Sequence, residues 1–482
     1  MKLNKMHMRK PTICNLTRPA ILTCLLSLAG VIRAQVMTLD DCIMMAMTSN
    51  KQIRATDHMI KQYEHTQKSV YANFFPNISL NAADVYSTIE GNATMDIATP
   101  FGNFAGQKIQ NMLPWVISDA MRTKMSQSIS QYLQPLNPEI DYKAKNMLTA
   151  HITLEQPLYT GGKISTANRM GKLGVNIASQ AQELAREKIF VEVYEAYQLL
   201  VKAKEMEVVA HQYDSLLTQI ENDVKCAVKN GMASRNDELK VAVKKSDAEL
   251  KIRQAENGIR LARMNLCQLI GKPLDSKIDP VSQSDDDIVE MADKNASATD
   301  RTEYKLLELN SRLAYEKVRM EKSAYMPQLG LMLNAGMIDG MELFGQKLFN
   351  HKFNMAVGAV LRVPLFHANE TRHKVAAAKE AYQQELLRKE ELTEKLDLDL
   401  QQQANDLDEA RLELQLRKRN LDQCEENLNI SRSAYTVGME TLSDLLTAQV
   451  LWQEAYAQLV ESRYLAKVKL MKWRKAAGRI QP

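Results

Sequence analysis

The chain writes the same turn twice. V-K-N-G-M-A-S-R-N-D-E-L-K-V-A runs from Val228 to Ala242, and Y-T-V-G-M-E-T-L-S-D-L-L-T-A-Q runs from Tyr435 to Gln449. Gly231 answers to Gly438, Met232 to Met439, Ser234 to Thr441 and Asp237 to Asp444, each at an offset of 207. A Gly just past a periodic run stops a helix, because it enters the left-handed conformation without a Cβ clash. Ser or Thr three residues on is a good N-cap, and an acid three beyond it completes a capping box. Each copy therefore reads as helix, tight turn, helix. Asp237 and Asp444 are at minimum helix-start carboxylates facing the N-terminal dipole.

The flanks repeat as well. The helical pattern Thr38–Phe74 ends at F-F-P, and a second near Asp300–Tyr325 ends at Y-M-P, since Pro forces its predecessor out of helix. Alternating stretches follow both. Leu148, Ala150, Ile152 and Leu154 share one face, with Thr149, His151, Thr153 and Glu155 on the other. Leu329, Leu331, Leu333 and Ala335 repeat the pattern, as do Phe353, Met355, Val357, Ala359, Leu361 and Val363. Period two predicts strands with one apolar face. Pro157 and Pro364 close the two hairpins, again 207 apart, and the first hairpin holds a longer loop, Thr88–Asn146. The unit helix, hairpin, long helix, turn, helix is duplicated.

The helices after the hairpins are very long. Lys163–Val228 and His367–Val437 contain no Pro and would each span about 100 Å at 1.5 Å per residue. Heptads run through both: Ile189, Ala196, Ala203, Ala210, Leu217, Val224 in one, and Leu400, Leu407, Leu414, Leu421, Leu428 in the other. That spacing predicts coiled-coil packing. The two short helices of a repeat together match one long helix, so they are expected to stack end to end along it.

The N-terminus has a secretory pattern. Six basic residues and no acid occupy positions 1–34, an apolar run spans Ala20–Ile32, and Ala34 offers a cleavage point. Taking six positive charges from the net +4 leaves −2, which argues against a nucleic-acid partner. Four Cys follow residue 34, at 42, 226, 267 and 424, in no metal-binding spacing, and are expected unpaired. T-G-G-K-I-S at Thr160 lacks the phosphate-loop spacing, His367 and His373 do not share a helical face, and no G-x-S-x-G occurs. Neither an enzyme nor a metal or cofactor site is expected.

Four strands per chain with apolar outer faces call for lipid, and their spans approach the ~9–11 residues of a membrane strand. An open sheet in lipid leaves its edges unsatisfied, so several chains should pool strands into one closed barrel. Two chains would supply about eight strands and three about twelve; the small polar inner face (Thr149, Thr153, Gly330, Asn334, Asn354, Gly358) favours the wider, water-filled option. A non-pore periplasmic coiled-coil scaffold is the competing reading. It has no need of one-sided strands.

Leu154–Gly162 (L-E-Q-P-L-Y-x-G-G), Val363–Phe366 (V-P-L-F) and Tyr435–Gln449 (Y-x-x-G-x-x-T-x-x-D-L-L-x-A-Q), with the weaker first copy, resemble the outer membrane efflux proteins of the TolC-like family. The likeness covers essentially all of the chain after residue 34. It implies a mainly α fold with a membrane β-barrel portion: a homotrimer with a shared twelve-stranded barrel and a long periplasmic α-helical tube. It also implies an outer membrane location and a passive duct for tripartite efflux or type I secretion, opened by a periplasmic adaptor beside an inner-membrane transporter. The implied boundaries are a signal peptide at 1–34, a first repeat at 35–270 and an equatorial connector at 271–299, then a second repeat at 300–477 and a tail at 478–482. Within the repeats, hairpins fall at 76–158 and 327–366, long helices at 163–228 and 367–437, tip turns at 229–234 and 438–441, and the following helices at 234–270 and 441–477.

By the same resemblance Asp444 matches an acidic constriction ring, and Tyr435 and Asp237 match latch positions. The tip turns Gly231, Ser234, Gly438 and Thr441 match the adaptor-docking site. Two positions depart from the family pattern. Thr447 stands where a second acid is usual, and Glu440 where a basic latch residue is usual. The second ring is thereby left open, and the latch falls to hydrogen bonds from Tyr435 and to repulsion or pairing by Glu440.

Overall fold

The computed structural model describes residues 35–93, 122–124, 126–128, 140–281, 297–343, 346–347, 353–366 and 368–480. The signal peptide expected at 1–34, most of the long first loop with Trp115, and the middle of the connector lie outside these residues.

β1 (Gln35–Met37) leads into α1 (Leu39–Ser49) and α2 (Lys51–Ala72). Hairpin strands β2 (Asn77–Ala93) and β3 (Ile140–Tyr159) follow. Then come the long helix α3 (Lys163–Lys229) and α4 (Arg235–Ile270). The second half adds β4 (Ile278–Pro280) and α5 (Thr302–Lys322), then β5 (Gln328–Leu343), β6 (Gln346–Lys347) and β7 (Phe353–Arg362). It closes with α6 (Glu370–Thr436) and α7 (Leu442–Ala476).

Three details depart from the sequence reading. The expected single helix Thr38–Phe74 is broken at Asn50, whose backbone is extended. Its side chain caps α2 by accepting from the Gln52 amide and donates to the Leu269 carbonyl at 2.9 Å, competing with the helical ladder. Strands of 17, 20 and 16 residues exceed the expected membrane span, and only β7, at 10, fits it. The β2–β3 ladder runs on through Glu90–Lys143 and Asn92–Asp141, polar pairs past the apolar band and within the segment expected as loop. The second long helix starts at Glu370 rather than His367, because Ala368 and Asn369 hold φ of 43° and 65°. Gly161 and Gly162 take φ of 63° and 85° at the equivalent turn.

The strands form one antiparallel layer in the order β2–β3–β5–β7, with β6 off the end of β5. Cross-strand rows alternate by face. Ile78, Leu154, Leu333 and Val357 form one apolar row, and Leu80, Ile152, Ala335 and Met355 the next. Ser79, Thr153, Asn334 and Ala356 face the other way, where Thr153 Oγ1 donates to Asn334 Oδ1 at 2.7 Å. Thr149, Thr153 and Met332 on this polar-side face are buried, while Ile78, Leu80, Ile152, Met355 and Val357 on the apolar face are exposed. A water-soluble sheet has the opposite arrangement. At the helix–strand junctions lie exposed aromatics from all four strand ends: Tyr71, Phe74, Phe75, Tyr159, Tyr325 and Phe366. Together they form an aromatic collar at the helix-side end of the sheet.

The helices continue the layer in the same order. Next to the sheet they run α2–α3–α5–α6, and beyond the middle α4–α3–α7–α6. The short helices meet end to end, as at Asn50 and Leu269. There β1 pairs in parallel with β4 from the connector. Tyr197 of α3 clamps the joint, its hydroxyl donating to the Met37 carbonyl at 3.0 Å and accepting from the Val281 amide at 2.8 Å. Gly271 and Gly478, again 207 apart, each end a helix with positive φ against the other strut of their repeat, at Ser49 and Asp300. No helix among the described residues is long and apolar enough to cross a membrane. The four cysteines among the described residues are free.

Candidate gate at the helical tips

The two tip turns are built alike. The Gly231 amide donates to the Val228 carbonyl at 3.0 Å and the Met232 amide to Ala227 at 2.8 Å; Gly438 and Met439 repeat this onto Tyr435 and Ala434 at 3.0 and 2.8 Å. Both glycines have positive φ, 74° and 77°. Ser234 Oγ accepts from the Asp237 amide at 3.2 Å while Asp237 accepts from the Ser234 hydroxyl at 2.7 Å. Thr441 and Asp444 do the same at 3.3 and 2.6 Å. Both are complete capping boxes.

The acids differ in what surrounds them. Lys240 Nζ lies 3.0 Å from Asp237 Oδ1, so the first tip carries a neutralised pair. The position equivalent to Lys240 is Thr447, whose hydroxyl donates back to the Ser443 carbonyl at 2.8 Å. Asp444 is exposed. The Thr441 hydrogen bonds hold its carboxyl below the usual range, and the Ser234 hydroxyl, then Lys240, do the same for Asp237. Both are ionised at neutral pH, but only Asp237 has a cation beside it.

Tyr435 of the second tip lies within reach of the Asp237 charge on the first. Tyr435 packs on the apolar cluster that joins them, with Tyr213, Leu217, Ile220 and Val224 of α3, Val241 and Ala248 of α4, and Leu442, Leu445 and Leu446 of α7. Burial, then the charges of Asp237 and Asp223, push the Tyr435 hydroxyl pKa up, so it stays a protonated donor facing acids. Glu440 is half-buried, and its Oε2 is enclosed without a hydrogen-bond partner.

Ser234 and Thr441 spend their hydroxyls on the caps. What the turns present outward is Met232 and Met439, 82% and 83% exposed. Sequence reasoning noted the pair only as part of the repeat. The signal was an unbranched apolar residue directly after a helix-stop Gly, where no core can reach it.

Residues 305–479 match the family model described as outer membrane efflux protein. No curated protein matches the chain. Among solved structures, the outer membrane protein VceC from Vibrio cholerae is similar over 91% of this chain and 96% of its own, at a TM-score of 0.68 and 14% identity. The CmeC outer membrane channel of Campylobacter jejuni covers 91% and 85%, at 0.69 and 14%. The open-state MtrE outer membrane channel of Neisseria gonorrhoeae covers 91% and 88%, at 0.67 and 15%.

Proposed function

Since the second repeat carries an outer membrane efflux protein domain and the described chain has the fold of outer membrane channels, we infer that this chain is one subunit of a trimeric export duct. The reading adds a location in the outer membrane, a helical tube reaching into the periplasm, and work alongside an adaptor and an inner-membrane transporter. One observation carries it. Sheet and helices form a single curtain four elements wide, with β2, α2 and α4 at one edge and β7 and α6 at the other. The edge strands have unpaired backbone groups, which lipid cannot satisfy. The edge helices carry exposed apolar stripes: Leu239, Val243, Leu250 and Leu261 on α4, and Leu412, Leu416 and Ile430 on α6. Both edges are satisfied at once if one copy's first edge meets the next copy's second. Head-to-tail contacts of that kind close into rings. Three copies give twelve strands of the main sheet, enough for a water-filled lumen.

In that ring three Asp444 carboxylates converge where the tube narrows. Each lacks the lysine that neutralises Asp237 in the first tip. Like charges in a narrow mouth attract cations and oppose anions. The apolar cluster on which Tyr435 packs holds the two tips of one subunit together. Met232 and Met439 supply adaptable apolar contacts for an arriving partner. An adaptor opens the mouth by binding the open form more tightly than the closed one. The scaffold alternative leaves the apolar face and its aromatic collar unexplained. Reconstitution in planar bilayers tests the duct: cation-preferring channels are expected, and protein that fractionates as soluble and conducts nothing would overturn it.

A further inference from the structure

Beneath the sheet, α3, α5 and α6 border two cavities. The first, about 510 Å³, holds Gln328 and Arg362 together with Lys163 of α3, Met320 and Ala324 of the α5 end and Thr371 of α6. Gln328 pairs with Arg362 one residue out of step with the apolar pair Leu329–Leu361, so this cavity lies on the polar face of the layer. The second, about 500 Å³, is lined by Arg169 and Lys172 of α3, Arg312, Tyr315 and Glu316 of α5 and Tyr382 of α6. At about 100° per residue, its residues sit roughly 130–150° around α3 and α5 from those of the first. It therefore opens on the side of the exposed apolar sheet face.

This second side is basic. Glu316 is buried, and Arg169 and Arg319 both reach it, at 3.0 and 3.3 Å, so one carboxylate meets two guanidiniums. Arg312 pairs with Glu308. Lys172 and Lys322 are exposed and have no ion-pair partner among the described residues. Arg319 and Lys322 stand seven residues on from Arg312 and Tyr315, on one helical stripe that leads to Tyr325 of the aromatic collar. Along the helix axis Lys322 and Arg319 fall about 5 and 9 Å from Tyr325. Lys172 starts further from the sheet, but helix side chains tilt toward the N-terminus, which in α3 is the sheet end. At the other end of α6 the sign reverses, with Asp422, Glu425 and Glu426 against Arg432.

We propose that this basic face of α3 and α5 binds the phosphate of anionic phospholipid headgroups in the leaflet that borders the helices. An apolar face, an aromatic collar and a cationic stripe follow one another here, in the order of hydrocarbon, interface and headgroup. Arginine forks match phosphate oxygens, and basic side chains beside a membrane attract its anionic lipids. α3 and α5 are interior to the helical layer, so a second copy meeting either edge leaves the site open. The site takes its membrane from the duct reading, but its binding is tested apart from it.

Native mass spectrometry of the full-length protein in detergent, doped with phosphatidylglycerol or with phosphatidylcholine, reads the headgroup choice. Phosphatidylglycerol is expected to be retained about tenfold better. Lys172→Gln with Arg319→Gln and Lys322→Gln should remove that preference; all three residues are exposed, and Arg169 stays to neutralise Glu316. Lys225→Gln with Lys229→Gln, which removes charge at the far end of α3, should keep it. Glycerol phosphate, the same headgroup chemistry without acyl chains, should not displace the lipid. Equal retention of the two lipids, an unaffected triple variant, or equal loss in the far-end variant overturns the proposal. Displacement by glycerol phosphate would make this a site for soluble anions and overturn the lipid assignment. If the protein stays out of bilayers altogether, the duct reading fails, while the headgroup site still stands or falls on these spectra.

Discussion

The helices α3 and α6 are both 67 residues long and come from equivalent places in the two repeats, yet α3 has eighteen buried residues and α6 six. The difference follows from position in the curtain. α3 is interior, with α2, α4, α5 and α7 packed around it, whereas α6 is an edge that rests chiefly on α5 and α7. Duplication sets the skeleton of each helix, and neighbours decide what its surface must do. The tips show the same difference at smaller scale: one capping box has a lysine beside it, and its twin has a threonine there.

The edge character of α6 can be broken outright. Leu412→Glu with Leu416→Glu and Ile430→Glu is expected to abolish assembly and leave monomers by light scattering. Leu239→Glu with Val243→Glu and Leu250→Glu on the opposite edge should do the same, because a head-to-tail ring needs both faces.

The paired turns give a sharper contrast. An Ala side chain at Gly161 would place Cβ 2.4 Å from Met326 Cβ and 2.7 Å from the Ser323 carbonyl oxygen, at positive φ. At Gly231 nothing lies within 4 Å. Gly161→Ala should cost about 3 kcal/mol, from left-handed strain plus overpacking, and Gly231→Ala about 1 kcal/mol from strain alone. Thermal unfolding separates the two.

The tip acids differ in charge compensation. Asp444→Asn should lower cation preference about tenfold, while Asp237→Asn leaves it nearly unchanged. The Thr441 hydrogen bonds hold the Asp444 carboxyl below its ordinary range. Folded-state depression means the charge, and the stability it lends, are present above the unfolded value and lost only as pH falls through the lower folded one. Cation preference is therefore expected to hold from pH 7 to about pH 4 and to collapse below that. The smallest effect is on the caps: Thr441→Ala and Ser234→Ala should each cost about 1 kcal/mol, and equally, because the two boxes share one geometry.

Much of this architecture is written in local patterns. Period-two alternation from Leu148 to Glu155 sorts the exposed apolar face from the polar one because side-chain direction in a strand is fixed by sequence parity. The Gly-to-Asp punctuation located both tips for an equally local reason. The break at Asn50 escaped, since it depends on a carbonyl 219 positions away. The order of the curtain escaped too, because nothing in a helix states which neighbour it will have. Lys240, three residues after Asp237, is legible in the sequence as a neutralising partner. The seating of Tyr435 on Tyr213 and Leu217 of α3 belongs to packing that no single stretch encodes.

Native mass spectrometry of the protein extracted from outer membranes tests the central claim most directly. The account predicts particles holding three copies of the chain, which carry current when returned to a bilayer. A particle of one copy, with its strand edges satisfied within itself, would contradict it.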